Sequence, residues 1–99
     1  MRNFMKEIIT MPTISMFYGI IIYMYFFDNR KHNKPHIHAE YGEYAAVFAI
    51  EDGELLDGKL PSKKQKMVQA WIAIHEEELI ADWKLAVKGK DLFNIDPLR

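Results

Sequence analysis

The stretch HIHAEYGEYAAVFAIEDGELL, residues 36–56, decides the fold. Apolar and polar side chains alternate along it, and two glycine-containing dipeptides punctuate it. Gly42-Glu43 suits a two-residue hairpin turn with glycine first; Asp52-Gly53 suits the turn that needs positive φ at both central positions. With two-residue loops at both, Tyr41 faces Tyr44, Glu40 faces Ala45, His38 faces Val47 and His36 faces Ala49. In the second hairpin Glu51 faces Glu54 and Ile50 faces Leu55.

This register sorts the side chains by face. Ile37, Tyr41, Tyr44, Phe48, Ile50 and Leu55 form a bulky side that can supply a core, whereas His36, His38, Glu40, Ala45, Val47, Ala49, Glu51 and Glu54 form a thinner, more polar one. Small neighbours at Ala45 and Ala49 leave room beside the histidines for a ligand, a metal or a partner's side chain.

Working outward, residues 8–27 carry no charge and are long enough to cross a bilayer as a helix. Pro12, Gly19, three tyrosines and a dense β-branched content favour two buried strands instead: a short one at Thr13–Phe17 and a second over residues 20–27. No membrane span is therefore expected. The polar connection DNRKHNKP, residues 28–35, sets Arg30, Lys31 and Lys34 against the single Asp28.

From Ser62 the pattern turns helical. Ser62 and Gln65 have the spacing of a capping box, Met67, Val68, Trp71, Ile72, Leu79, Ile80, Trp83 and Val87 recur at helical intervals, and Gly89 supplies a stop. A single helix from Ser62 to Gly89 spans roughly 40 Å, long enough to expect a break or an overhanging end. The tail DLFNIDPLR is expected to return an extended segment to the sheet edge. The predicted fold is α+β: an antiparallel meander sheet of about four strands with one long helix packed on one face.

The chain has 99 residues, 49% of them hydrophobic, which suits one small globular domain. Thirteen basic and fourteen acidic residues give a net charge of -1, so any contact with nucleic acid has to come from a local basic patch. The absence of cysteine excludes disulfides and thiolate chemistry and fits a cytoplasmic setting.

His36, His38 and Glu40 place two imidazoles and a carboxylate on one side of a strand, the arrangement needed by an acid–base pair or a facial metal triad. Three polar positions on the solvent side of an antiparallel strand are equally the ordinary expectation. The alternating histidines of the histidine-triad hydrolases are not matched, because the flanking alternate positions are Lys34 and Glu40. A cupin motif is not matched either, since its glycine position holds Ile50. His75, in the stripe Val68, Ile72, His75, Leu79, is expected near the core and separated from His36 and His38 by the sheet. Lys63 and Lys64 sit in the first helical turn, where the macrodipole prefers acids, and with Arg30, Lys31 and Lys34 they form a candidate anion-binding set. Glu76, Glu77, Glu78 and Asp82 form an acidic band suited to a protein partner.

MPTISMFYGI from Met11, HNKPHIHAEYGEY from His32, LPSKKQKMVQAW from Leu60 and IDPL from Ile95 together resemble a small bacterial family catalogued as a domain of unknown function. The resemblance runs over residues 11–99 and implies that residues 1–10 are a variable extension preceding a single domain. It also implies a place in a toxin–antitoxin-like two-gene locus, with a partner protein encoded nearby. The chain departs from the family at Tyr23, where many relatives carry a basic residue.

The expected function is a regulatory protein-binding module. The alternatives are a small ribonuclease-like toxin using His36 and His38 as acid and base, or a metal-binding protein using His36, His38 and Glu40. Binding is assigned to Arg30, Lys31, Lys34, Glu40, Lys63 and Lys64. No cofactor is expected, a homo-oligomer is admitted, and whether the chain is an enzyme is left open.

Overall fold

A computed structural model describes residues 12–27 and 34–99. The N-terminal extension, Arg30 and Lys31 lie outside the described residues. Five antiparallel strands follow one another in chain order: β1 Thr13–Phe17, β2 Ile20–Tyr23, β3 His36–Tyr41, β4 Tyr44–Ala49 and β5 Leu55–Lys59. The helices α1 Ser62–Ile74 and α2 Glu76–Val87 come after them. The α+β meander is as expected, with five strands in place of about four. β5, read from the sequence only as the far arm of the Asp52-Gly53 hairpin, carries Asp57 and Gly58, residue types depleted in strands.

The β3–β4 register matches the sequence reading from His36↔Ala49 to Tyr41↔Tyr44. It places Ile37, Ala39, Ala46 and Phe48 on the buried side. These residues join Ile14, Phe17, Ile20 and Ile22 beneath Val68, Trp71 and Ile72 of α1 and Leu79 of α2. Phe17 and Trp71 pack ring to ring, 5.4 Å between centroids. Tyr44, expected in this core, is exposed because it ends the sheet at the hairpin.

The second hairpin differs from the expected two-residue loop. Phe48 pairs with Leu55 rather than Ile50 with it, and the register shifts between Val47 and Phe48. Two contacts explain the longer loop. Ile50 is fully buried and donates its N–H to the Pro35 carbonyl (3.0 Å), and Asp52 Oδ1 accepts from Glu54 N–H (3.0 Å) in an Asx turn. Gln69 Nε2 of α1 holds the loop through the Gly53 carbonyl at 2.8 Å.

The expected single helix is divided at His75, whose φ and ψ of -113° and 25° are non-helical. The break has a local cause: Glu76, Glu77 and Glu78 fill the first turn of α2, where the helix dipole favours acids. The capping box does not form. Pro61 is the residue before the helix, so Ser62 already lies within the first turn. Asp82 leaves the expected acidic band and is buried; its Oδ1 accepts from Phe93 N–H at 3.0 Å. Burial raises its pKa above the ordinary carboxylate value, opposed by the Phe93 hydrogen bond and assisted by the charge of Glu78. This bond starts the tail on its course along β1, where Ile95 N–H reaches the Ile14 carbonyl (2.8 Å) and the Asp96 carbonyl accepts from Trp71 Nε1 (2.8 Å). The tail therefore returns to the sheet edge as expected, without pairing as a strand.

No helix among the described residues is long and apolar enough to cross a membrane.

Gly58 is the most constrained point of β5. Its φ is +73°, and a Cβ there would collide with the Ala45 carbonyl oxygen of β4. Gly58→Ala should lower stability by about 1–3 kcal/mol in urea unfolding. An unchanged midpoint would show that β5 does not hold this approach to β4.

Candidate functional site

On the polar side of the sheet the pairing builds two rows that each cross all five strands. One row runs Met16, Ile21, Glu40, Ala45, Lys59; the other runs Thr13, Tyr23, His38, Val47, Asp57. Thr13, Met16, Ala45, Asp57 and Lys59 are exposed, so half of these ten positions are open.

Its chemistry centres on an aromatic cluster. The His38 ring lies parallel to Tyr23 (5.3 Å, 17°) and meets Tyr25 edge-on (4.5 Å, 71°), and Tyr23 and Tyr25 are themselves edge to face at 5.6 Å. These separations are those of favourable aromatic pairs. The Tyr23 hydroxyl donates to Glu40 Oε2 at 2.8 Å. Burial, followed by that hydrogen bond and the neighbouring charges of Tyr25 and Glu40, pushes the Tyr23 phenol well above its usual pKa. Tyr23 therefore remains a hydrogen-bond donor at neutral pH and orients the Glu40 carboxylate.

His36 shares this face by register but is not open to solvent. It is 1% exposed, and its Nδ1 donates to the Lys34 carbonyl at 2.9 Å. Its ring lies 4.9 Å from Trp83 of α2 and 5.3 Å from His38. The expectation that the sheet would separate the helical stripe from His36 is corrected here. α2 reaches His36 through Trp83, and its Ala86 carbonyl accepts from Phe27 N–H at 2.9 Å. His75 itself stays apart, hydrogen-bonded through Nδ1 to Glu78 Oε1 and packed 5.5 Å from Trp71. Among the described residues no group of three His, Asp or Glu is arranged to hold a metal ion.

Among the described residues the candidate basic side chains Lys34 and Lys64 do not converge. Lys34 Nζ contacts Glu54 Oε1 at 3.3 Å beside the start of β3, and that bond and charge raise its pKa. At the other end of the same strand, Lys64 Nζ donates to the Tyr18 carbonyl at 3.1 Å and lies 4.8 Å from the centroid of the Tyr41 ring. Lys63 is exposed. Lys64 thus ties α1 to the β1–β2 hairpin, and no anion site that combines it with Lys34 is assembled.

Between β3, β4 and β5 lies a cleft of about 170 Å³, lined by Tyr23, His38, Ala45, Val47, Asp57 and Gly58. The room expected beside Ala45 exists, whereas Ala49 is buried. Tyr25 and Asp57 were not singled out from the sequence, and Tyr23 only as a departure from the family. The tyrosines sit inside a run that reads as core, and Asp57 joins the face only through the bulge before Phe48. The alternate spacing of Tyr23 and Tyr25 was the available signal.

An antiparallel meander backed by a broken helix, with an aromatic and acidic cleft on its open face, makes this a small α+β domain. The chain belongs to the family of domains of unknown function designated DUF4160, whose profile matches residues 19–84. The matched region begins after β1 and ends within α2, a narrower extent than the resemblance read from the sequence. No curated protein and no solved structure matches the chain.

Tyr23→Phe should cost about 1–2 kcal/mol, because it leaves the half-buried Glu40 carboxylate without its donor. It should also flatten the alkaline limb of stability. As pH rises past the ordinary phenol value of 10.0, the unfolded chain releases a proton that the folded chain keeps, so wild-type stability falls there and the variant lacks that share. Urea titrations over about pH 9–11 read both effects. Parallel pH profiles would contradict the assignment.

Proposed function

We propose that this domain is a regulatory binding module, a component of a toxin–antitoxin-like two-gene locus, and that it holds a protein encoded beside it against the open sheet face. The observation that carries this reading is the contrast between the two histidines. An acid–base relay needs two imidazoles that a substrate can reach, and His36 is enclosed beneath Trp83 with Nδ1 on a backbone carbonyl. What the face offers instead is two rows of mixed apolar, aromatic and charged side chains, the composition of a docking surface.

The second reading, a ribonuclease-like toxin, draws on the 5.3 Å separation of the His36 and His38 rings. Of its phosphate-holding candidates among the described residues, Lys64 lies at the far end of β3 and Lys34 is engaged with Glu54.

Co-expression with the product of the neighbouring reading frame tests the choice. The two proteins should purify together, and Ala45→Arg, at an exposed position in the middle of the face, should weaken the complex by at least about tenfold. Absence of a complex, or a complex untouched by that change, would overturn the binding reading. Growth arrest on expression that is relieved by His38→Ala would favour the toxin.

A further inference from the structure

We infer that the cleft formed by Tyr23, His38, Val47 and Asp57 receives a basic side chain, an arginine in preference to a lysine, from the protein partner. This inference deepens the binding reading above and rests on it.

Size gives the first argument. At about 170 Å³ the cleft is smaller than the roughly 300–1,000 Å³ of sites that enclose a cofactor or drug-sized ligand. It suits the end of one side chain. The depth comes from Ala45 and Gly58, whose small size leaves the space between strands unfilled, and Gly58 cannot be enlarged because its backbone lies against Ala45.

Charge and ring chemistry give the second. The Asp57 carboxylate lies in the cleft lining, with Oδ1 held by Gly58 N–H at 2.9 Å. Glu40, in the adjoining row, is a second carboxylate, kept in place by Tyr23. Lys59 is the cation of that row, and β4 stands between it and Glu40. Two acids against one base disfavour phosphate here and favour a cation. The lining includes the rings of Tyr23 and His38, which are stacked on each other, and a guanidinium packs favourably beside the part of His38 left open while its fork of donors reaches a carboxylate. An ammonium supplies the charge without the planar match, hence the preference for arginine.

Two experiments on the full chain test the inference separately from the reading beneath it. In the first, amide spectra are recorded during titration with N-acetyl-arginine amide and, in parallel, with N-acetyl-citrulline amide, which has the same shape without the charge. Saturable shifts at His38, Val47 and Asp57 are expected with arginine only, and they should be lost in Asp57→Asn, which retains an acceptor for Gly58 N–H. Equal shifts with citrulline, shifts elsewhere, or none would overturn the site.

The second experiment uses the complex with the neighbouring gene product. Asp57→Asn should weaken it roughly tenfold and Asp57→Lys should abolish it, with both variants melting as the parent does. A stable complex indifferent to both changes would remove the cleft while leaving the binding reading intact. If no complex forms, the binding reading fails, and the titration alone decides the cleft.

Discussion

The register of β3 against β4 is the constraint on which the rest depends. Tyr41 and Tyr44 close on the turn at Gly42 and Glu43, and every pair back to His36↔Ala49 is then determined. A slip of β3 by one residue would turn Ile37 and Ala39 outward and bring His38 and Glu40 into the core, exchanging apolar burial for unpaired polar groups. On its other edge β3 pairs with β2, and that register sets Tyr23 beside His38 and lets Tyr23 reach Glu40. The open polar face and the hydrophobic core are opposite sides of one alignment.

Around that alignment the helices act as an asymmetric cover. α1 presents Val68, Trp71 and Ile72 to the buried side, and Lys64 and Gln69 tie it to both ends of the sheet. The dipole favours a new start at the three glutamates after His75, and Trp83 of α2 packs against His36. One histidine is thereby made structural, while its neighbour two residues on stays at the open face among Tyr23 and Tyr25. The tail completes the cover by lying along β1, anchored through Asp82, Ile14 and Trp71, so that this edge of the sheet is occupied.

Much of this was legible in the sequence where the determinants are local. Gly42-Glu43 specified the first hairpin, period-two alternation separated Ile37 and Phe48 from His38 and Glu40, and the 3.6-residue stripe marked Val68, Trp71 and Ile72. What escaped depends on distant partners. The Asp52-Gly53 loop lengthened because Ile50 is captured by the Pro35 carbonyl and the core, contacts that turn propensity does not contain. His36 was assigned to an open face because alternation gives the side of a strand and says nothing about a helix folding over one corner. The cleft was half visible: Ala45 promised space, but its acidic lip needed the bulge before Phe48 to bring Asp57 opposite Val47.

The central claim is that the open sheet face is where a protein partner docks, and side-chain footprinting reads that face directly. Met16 and Tyr25 are exposed on or beside it, while Phe93, 70% exposed, lies on the tail that follows α2. Hydroxyl-radical labelling of the chain alone and bound to the neighbouring gene product should show Met16 and Tyr25 protected in the complex and Phe93 labelled equally in both states. Protection of Phe93 with Met16 and Tyr25 unchanged would place the partner on the helical side and contradict the account.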